Sequence, residues 1–329
     1  MQFITFSRAL LASALACTLA VCATAAQAQA WPPATVKIVV PYPPGTEPDV
    51  LARDVGSALA RQTGKSFVVE NKPGANSIIG TEAVAKAEGD GATLLMVDRL
   101  AVVTNPQLYS KMPYKWEDSI RPITDLATVN LFMGVREGLP VKNLAEFIAY
   151  AKAHPKKVNV GTGGNGHVNH IGMEMLAQAH GLSFTYVPYK GVAPAIAGLL
   201  TGEVDVVLAG GLALQGHAKS GKVKLLVVGD TKRAGFMPEV PTLVEAGGKA
   251  GSIPSTVFSL LAPAKVSDAL AAQISRAVAE AVNGAQLKSN YGSRGLEIAP
   301  TTPEQTLTLM KAEAVKYEKI LREAGIKIE

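Results

Sequence analysis

Cysteine is nearly absent from this 329-residue chain: the only two, Cys17 and Cys22, both lie among the first thirty residues. That segment carries a single charge, Arg8, followed by an Ala/Leu-rich stretch and two small-x-small steps, Ala26-Gln27-Ala28 and Ala28-Gln29-Ala30. This is the pattern of a signal peptide over residues 1–30, cleaved near Ala28 or Ala30. Neither cysteine follows a lipoprotein box. The exported chain then has no thiol for a disulfide or for nucleophilic catalysis. A dense basic run is also missing. Removing Arg8 leaves 31 Lys and Arg against 27 Asp and Glu, a net charge of +4 scattered singly, which excludes a nucleic-acid partner. The basic pair Lys156-Lys157 reads as a helix end. Aromatics are scarce, at 5%. No later apolar run is long enough to cross a bilayer. G-x-S-x-G, S-x-x-K, H-E-x-x-H and the P-loop are all missing, which argues against an enzyme.

What is present is an apolar share of 48% and short β-branched runs alternating with helical patterns, the mark of parallel α/β units. Residues 36–40, 67–69 and 93–97 read as strands, with helices over 48–63 and around 80–87. Leu51, Val55, Ala58 and Leu59 give the first helix one apolar stripe, and Gly64 suits its C-terminal cap. After residue 130, strands at 158–160, 184–187, 204–208 and 223–228 alternate with helices near 144–154, 167–179, 192–201 and 212–219. Asn143 and Glu146 form a capping box. Ser267 and Thr302 start two further helices, the last with Leu307, Met310, Ala314, Tyr317 and Leu321 on one face. Two α/β lobes are expected, 31–130 with 231–329 and 131–230, and a cleft between them is the default ligand site.

Two loops carry the candidate chemistry. Pro41-Tyr42-Pro43-Pro44-Gly45-Thr46-Glu47-Pro48-Asp49 joins the first strand to the first helix, at the carboxyl end of a parallel strand where open α/β sheets bind ligands. The helix N-terminus behind it favours an anion. The alternative is a stiff turn in which Thr46 or Asp49 merely caps the helix. Gly161-Thr162-Gly163-Gly164-Asn165-Gly166 matches G-x-G-x-x-G between a strand and a helix. The next strand ends at Val187-Pro188-Tyr189-Lys190 without the acidic residue that holds a ribose, so a dinucleotide is excluded. The same loop can press its N–H groups against a carboxylate, or be a turn with no ligand. His167, His170 and Glu174 share one helical face. A buried His170 paired with Glu174 is the better reading than a metal site, and His167 stands beside the glycine loop, where a ligand is in reach.

These residues, with Val69-Glu70-Asn71-Lys72-Pro73-Gly74, Asn105-Pro106-Gln107-Leu108-Tyr109, Gly163 to Glu174, Val187-Pro188-Tyr189-Lys190-Gly191 and Leu260-Leu261-Ala262-Pro263, occur in an order that closely resembles the Bug receptors. These are the extracytoplasmic solute-binding proteins of tripartite tricarboxylate transporters. The resemblance runs from about residue 31 to the C-terminus. It implies a two-lobed periplasmic-binding-protein fold of type II-like α/β architecture, a periplasmic location and no cofactor or metal. The implied partners are a small carboxylate and membrane permease subunits, with the receptor itself a monomer. A sensing role for a two-component system is the alternative. In the family, loops matching Pro44, Gly45, Thr46, Glu47 and Asp49, and Thr162, Gly164, Asn165, Gly166, His167 and Asn169, grip a ligand carboxylate. The chain departs from the family at Thr46, at Asp98-Arg99, at His167 and at Ala209-Gly210-Gly211. Arg99 can pair bidentately with a second carboxylate. Asp98 and Glu47 can meet an ammonium or hydroxyl, or Asp98 and Arg99 can compensate neighbours structurally. Lys190 either reaches the cleft or is solvated.

Overall fold

The computed structural model describes residues 31–292 and 295–326; the leader expected at 1–30 lies outside them. Strand β1 (Thr35–Val40) buries Val36, Ile38, Val39 and Val40 almost completely. The Pro-rich loop after it ends in helix α1 (Glu47–Thr63), which has Pro48 in its first turn and a left-handed Gly64 cap. Proline lacks only an N–H that the first turn leaves unpaired anyway. Strand β2 (Ser66–Asn71), helix α2 (Ile78–Ala85), strand β3 (Thr93–Asp98), helix α3 (Arg99–Leu108) and the short α4 (Trp116–Ser119) follow.

Strand β4 (Ile120–Arg136) organises the molecule, and the sequence pattern does not reveal it. Its seventeen residues are almost all buried, and Pro122 and Gly134 interrupt them, so no alternation marks it. Helix α5 (Leu144–Ala153), β5 (Asn159–Thr162), α6 (Val168–His180), β6 (Thr185–Pro188), α7 (Val192–Thr201), β7 (Val206–Gly210), α8 (Gly211–Lys219) and β8 (Val223–Val228) come next. The chain closes with β9 (Ser255–Pro263), α9 (Asp268–Val282), α10 (Ala285–Gly292), β10 (Leu296–Ile298) and α11 (Pro303–Ala324). The Asn143, Ser267 and Thr302 caps are all made by the side chains expected to make them.

The strand order is β2-β1-β3-β9-β4-β7-β5-β6, with β8 and β10 also on β4. Strands β1, β2 and β3 are parallel, and β9 lies antiparallel between β3 and β4. Up to Asn130, which faces Ser255, β4 pairs with β9; from Leu131, which faces Gly210, it pairs with β7 and β8. One strand therefore serves two sheets. The chain's return after β8 runs beside this change of partner. There the Gly229 N–H donates to Leu131 O at 2.9 Å, the Asn130 amide donates to Asp230, and Ser255 Oγ donates to Asn130 Oδ1 at 2.9 Å.

One core packs α1 and α9 onto β1, β3 and β9 through Ile38, Leu51, Val55, Leu59, Ile274 and Val278. Each such side chain contributes about 1.5–3 kcal/mol by leaving water. Another packs α7 and α8 onto β7 through Leu199, Val207 and Leu214. Helix α11 lies across both halves, touching α3, β4 and α6.

Candidate functional site

The loop between β1 and α1 is held taut from behind. The Asn71 amide donates to Tyr42 O at 3.1 Å and to Asp49 Oδ1 at 2.9 Å. Asp49 also accepts from the Gly45 N–H at 2.8 Å and from Arg53 Nη2 at 2.9 Å. Burial by itself would raise this carboxyl, but the hydrogen bonds from Arg53, Gly45 and Asn71 outweigh it and hold Asp49 below the usual carboxylate range. Asp49 is 2% exposed and both its oxygens are engaged by the protein, so it positions the loop. Thr46 does not cap α1 with its side chain; its hydroxyl donates to Pro43 O at 2.7 Å. Gly45, at φ 80°, takes a left-handed turn that disfavours any side chain. Pro44 and Gly45 are left exposed, and Thr46 and Glu47 half-buried, at the carboxyl end of β1.

The glycine loop between β5 and α6 is built the same way. Asn169, 1% exposed, accepts from the Gly163 N–H at 3.1 Å and donates to Leu208 O at 3.3 Å. Its Oδ1 also lies 2.9 Å from His167 Nδ1. Thr162 is fully buried, and its hydroxyl accepts from the Gly164 N–H at 3.4 Å. Thr162 and Asn169 are thus internal staples of the loop. A Cβ on Gly163 would stand 3.1 Å from the His167 ring, so a side chain there would push the imidazole aside by a few tenths of an ångström. The expected His170–Glu174 pair does not form. His170 Nδ1 accepts from the Gly166 N–H at 3.0 Å, and Glu174 accepts from the Tyr186 hydroxyl at 2.6 Å. Gly166 is itself buried, with its N–H spent on that bond, so it too braces the loop. The Tyr186 ring packs edge-on against His170, between the two groups that i,i+4 spacing suggested.

Burial pushes His170 down to about 4, helped by His167; burial also lowers His167, against its hydrogen bond to Asn169 Oδ1. Both rings are neutral at pH 7. Positive potential at this loop comes from the first turn of α6, where the Asn169 N–H is taken by the His167 cap at 3.4 Å. Replacing Asn169 by Ala should cost about 2–3 kcal/mol, because the buried Gly163 N–H and Leu208 carbonyl lose their partner. Urea unfolding checks this, and an unchanged midpoint would remove the staple role.

The start of α1 approaches the turn at the end of β7. A Cβ placed on Gly210, where β7 turns into α8, would lie 3.9 Å from Glu47 Oε2 and 3.1 Å from Val129 Cγ1. Gly164 lies near Tyr189 O on the neighbouring turn, with Asn165 and Lys190 exposed beside it. The start of α1 is thus set against the carboxyl end of β7, which runs parallel to β5 and β6 in one sheet.

Asp98 and Arg99 are not part of this surface; each is 6% exposed. Arg99 meets Glu313 with Nε at 2.8 Å and Nη2 at 2.9 Å, and its Nη1 meets Asp125. Asp98 caps α3, accepting from the Leu100 N–H at 3.0 Å. Of the two readings open for this pair, the structural one holds. Tyr42, Asn71 and Glu313 escaped the sequence reading as organisers of these regions; Tyr42 and Asn71 stood in recognisable motifs, Glu313 in none. Among the described residues, no three His, Cys, Asp or Glu are grouped to hold a metal ion.

Opposed loops at the carboxyl ends of two α/β sheets, joined by a shared strand and one return, define the two-lobed fold of periplasmic solute-binding proteins. The structure matches an adipate-bound protein of R. palustris with a TM-score of 0.82 at 28% identity, covering 90% of this chain and 99% of that one. It matches the periplasmic binding protein BugD at 0.79 and 28%, covering 91% and 100%. Malate-bound MatC of Rhodopseudomonas palustris gives 0.77 and 26%, covering 88% and 100%. In sequence, BugT of Bordetella pertussis is 29% identical over 92% of this chain and 93% of its own. The family model of the tripartite tricarboxylate transporter family receptor, TctC, matches residues 51–326, and the chain belongs to that family. It is a solute-binding receptor, not an enzyme.

Proposed function

We propose that this receptor captures a small organic carboxylate between its lobes and delivers it, as a monomer in the periplasm, to the permease subunits of a tripartite transporter. The lobes comprise residues 31–130 with 231–329, and 131–230, and the chain crosses between them at Asn130–Leu131 and again after β8. The observation that carries the reading is the approach of the start of α1 to the Gly210 turn at the carboxyl end of β7, in the same parallel sheet whose β5 ends in the glycine loop. The adipate and malate held by two structural neighbours support the same ligand class. Exposed Gly45 and Asn165 and half-buried Thr46, Gly164, His167 and Gly210 make the contacts, while Asp49, Thr162 and Asn169 hold the loops in place.

Thermal unfolding with mono- and dicarboxylates, hydroxy acids and amino acids, set against neutral amides, tests this. A bound acid at one hundred times its Kd should add about 2.7 kcal/mol and raise the midpoint by several degrees. If only neutral or cationic compounds stabilise the protein, the carboxylate reading fails.

A further inference from the structure

One aromatic ring spans the seam between the two sheets. Phe236 lies past residue 230, yet its stretch of chain still packs with β7 and β8. The Val228 N–H donates to Pro241 O at 2.9 Å and the Leu243 N–H to Val228 O at 2.8 Å. Met237 and Val240 are buried in the core that α7 and α8 share with β7. The Phe236 carbonyl accepts from Gln215 Nε2 of α8 at 3.4 Å, and its ring packs edge-on against Phe132, with centroids 5.8 Å apart. Arg233 pins the loop around it, with Nε 2.8 Å from Glu245 Oε2 and Nη1 3.0 Å from Pro238 O. Phe236 therefore moves with α8.

The tip of the same ring rests on the other half. A Cβ on Gly295, just before β10, would stand 2.5 Å from Phe236 Cζ. A Cβ on Gly211, the first residue of α8, would stand 2.5 Å from that same atom. Strand β10 is bonded to Ala127, Thr128 and Val129 of β4, in the sheet of β1, β2 and β3. Helix α8 follows β7, in the other sheet. The ring tip is thus lodged between two glycines, one on each side of the seam, where a side chain would take its place. Phe236 is only half-buried, so water reaches the seam once the halves part. The contact lies beside the point where β4 changes partner and one residue from the Gly210 turn. Rotation about that point carries α8 and Phe236 away from Gly295 and exposes an apolar contact.

We propose that Phe236 is the latch of this receptor. Its ring, seated on Gly295, holds the lobes in the drawn-together arrangement that brings the Gly210 turn up to α1. It thereby sets how readily the lobes close on a ligand, whatever that ligand is. The latch rests on the two-lobed fold and not on the carboxylate reading. A ring that only filled the core around Phe132 and Met237 would support stability and leave the spacing of the lobes unchanged.

Residues 31–329 hold no cysteine, so a spin-label pair can be placed freely. Arg61→Cys on α1 and Lys152→Cys on α5 are exposed helix positions in opposite lobes. Double electron–electron resonance between them reads the lobe spacing with no ligand present. In that background Phe236→Ala should move the ratio of drawn-together to parted molecules about fivefold toward the parted form. Phe236→Leu, which stays apolar but lacks the ring tip, should move it the same way by less, and guards against an alanine variant that fails to fold. Calorimetric titration with adipate and with malate adds a second readout. Affinity should fall by the factor by which the drawn-together population falls. A spacing unchanged in both variants, even with a lowered urea midpoint, reduces Phe236 to core packing and overturns the latch. So does a shift toward the drawn-together form, which would make the ring a stop, or a wild type with no drawn-together molecules. If neither acid binds any form of the protein, the titration counts against the ligand reading, and the spacing alone still decides the latch.

Discussion

Arg99→Met should lower stability by about 3–5 kcal/mol, the usual cost of removing one partner from a buried ion pair. In a chain of this size that is a fall in melting midpoint on the order of 10 °C. The side chain of Arg99 is 7% exposed and holds two carboxylates, Asp125 and Glu313. Asp125 also accepts from Ser259 Oγ, and its backbone N–H donates to the Thr301 and Thr306 hydroxyls at 2.9 and 3.1 Å. One guanidinium thus ties α3, β4, β9 and α11 together. Methionine fills similar volume but leaves both acids without their counter-ion, Asp125 in a buried position. Adding Glu313→Gln to Arg99→Met should recover part of the loss, because it removes one uncompensated charge; a double-mutant cycle measures that coupling. The alternative has a different signature. An Arg99 that contacted ligand would, when replaced, lose carboxylate binding at an unchanged midpoint.

The same residue explains where sequence reading succeeds and where it stops. Strand β1 and the loop after it are legible because Val36 to Val40, four prolines and Gly45 act locally, through side-chain branching and fixed dihedrals. The caps at Asn143, Ser267 and Thr302 are legible for the same reason, with partners three residues away. Strand β4 is not, since a strand buried on both faces shows no alternation. Arg99 beside Asp98, at the end of a parallel strand, has the look of a ligand pair. Its true partner, Glu313, is 214 residues away on α11, and no local pattern reports such a contact. Asp49 poses a nearer version of the same problem, because Asn71 reaches it from β2. The family resemblance locates the site's loops, but only packing separates the groups that face the cleft from those that brace it.

Asp98 brings a second large effect, this one dependent on pH. Burial is the main reason its carboxyl rises from 3.8 to about 7, and Glu313 adds to the rise. The Leu100 N–H, Arg99 and the Val257 backbone oppose it without prevailing. The Tyr42 and Tyr317 hydroxyls, themselves raised by burial and by nearby acids, stay protonated beside it. An acid with its folded pKa above its unfolded one binds the proton more tightly in the native state. Its stabilising contribution is complete below about pH 4 and is lost as pH climbs through 7. At about 1.4 kcal/mol per unit, this window is worth up to about 4 kcal/mol. An asparagine in place of the acid keeps an oxygen to accept from the Leu100 N–H, and asparagine caps helices as well as aspartate does. Asp98→Asn should therefore match the wild type near pH 4 and exceed it by a few kcal/mol at pH 8. Urea unfolding at half-unit steps from pH 4 to 8 measures the difference. A variant less stable than the wild type at pH 8 would mean that the ionised carboxylate is the form the fold prefers. Arg99 would then neutralise three acids rather than two.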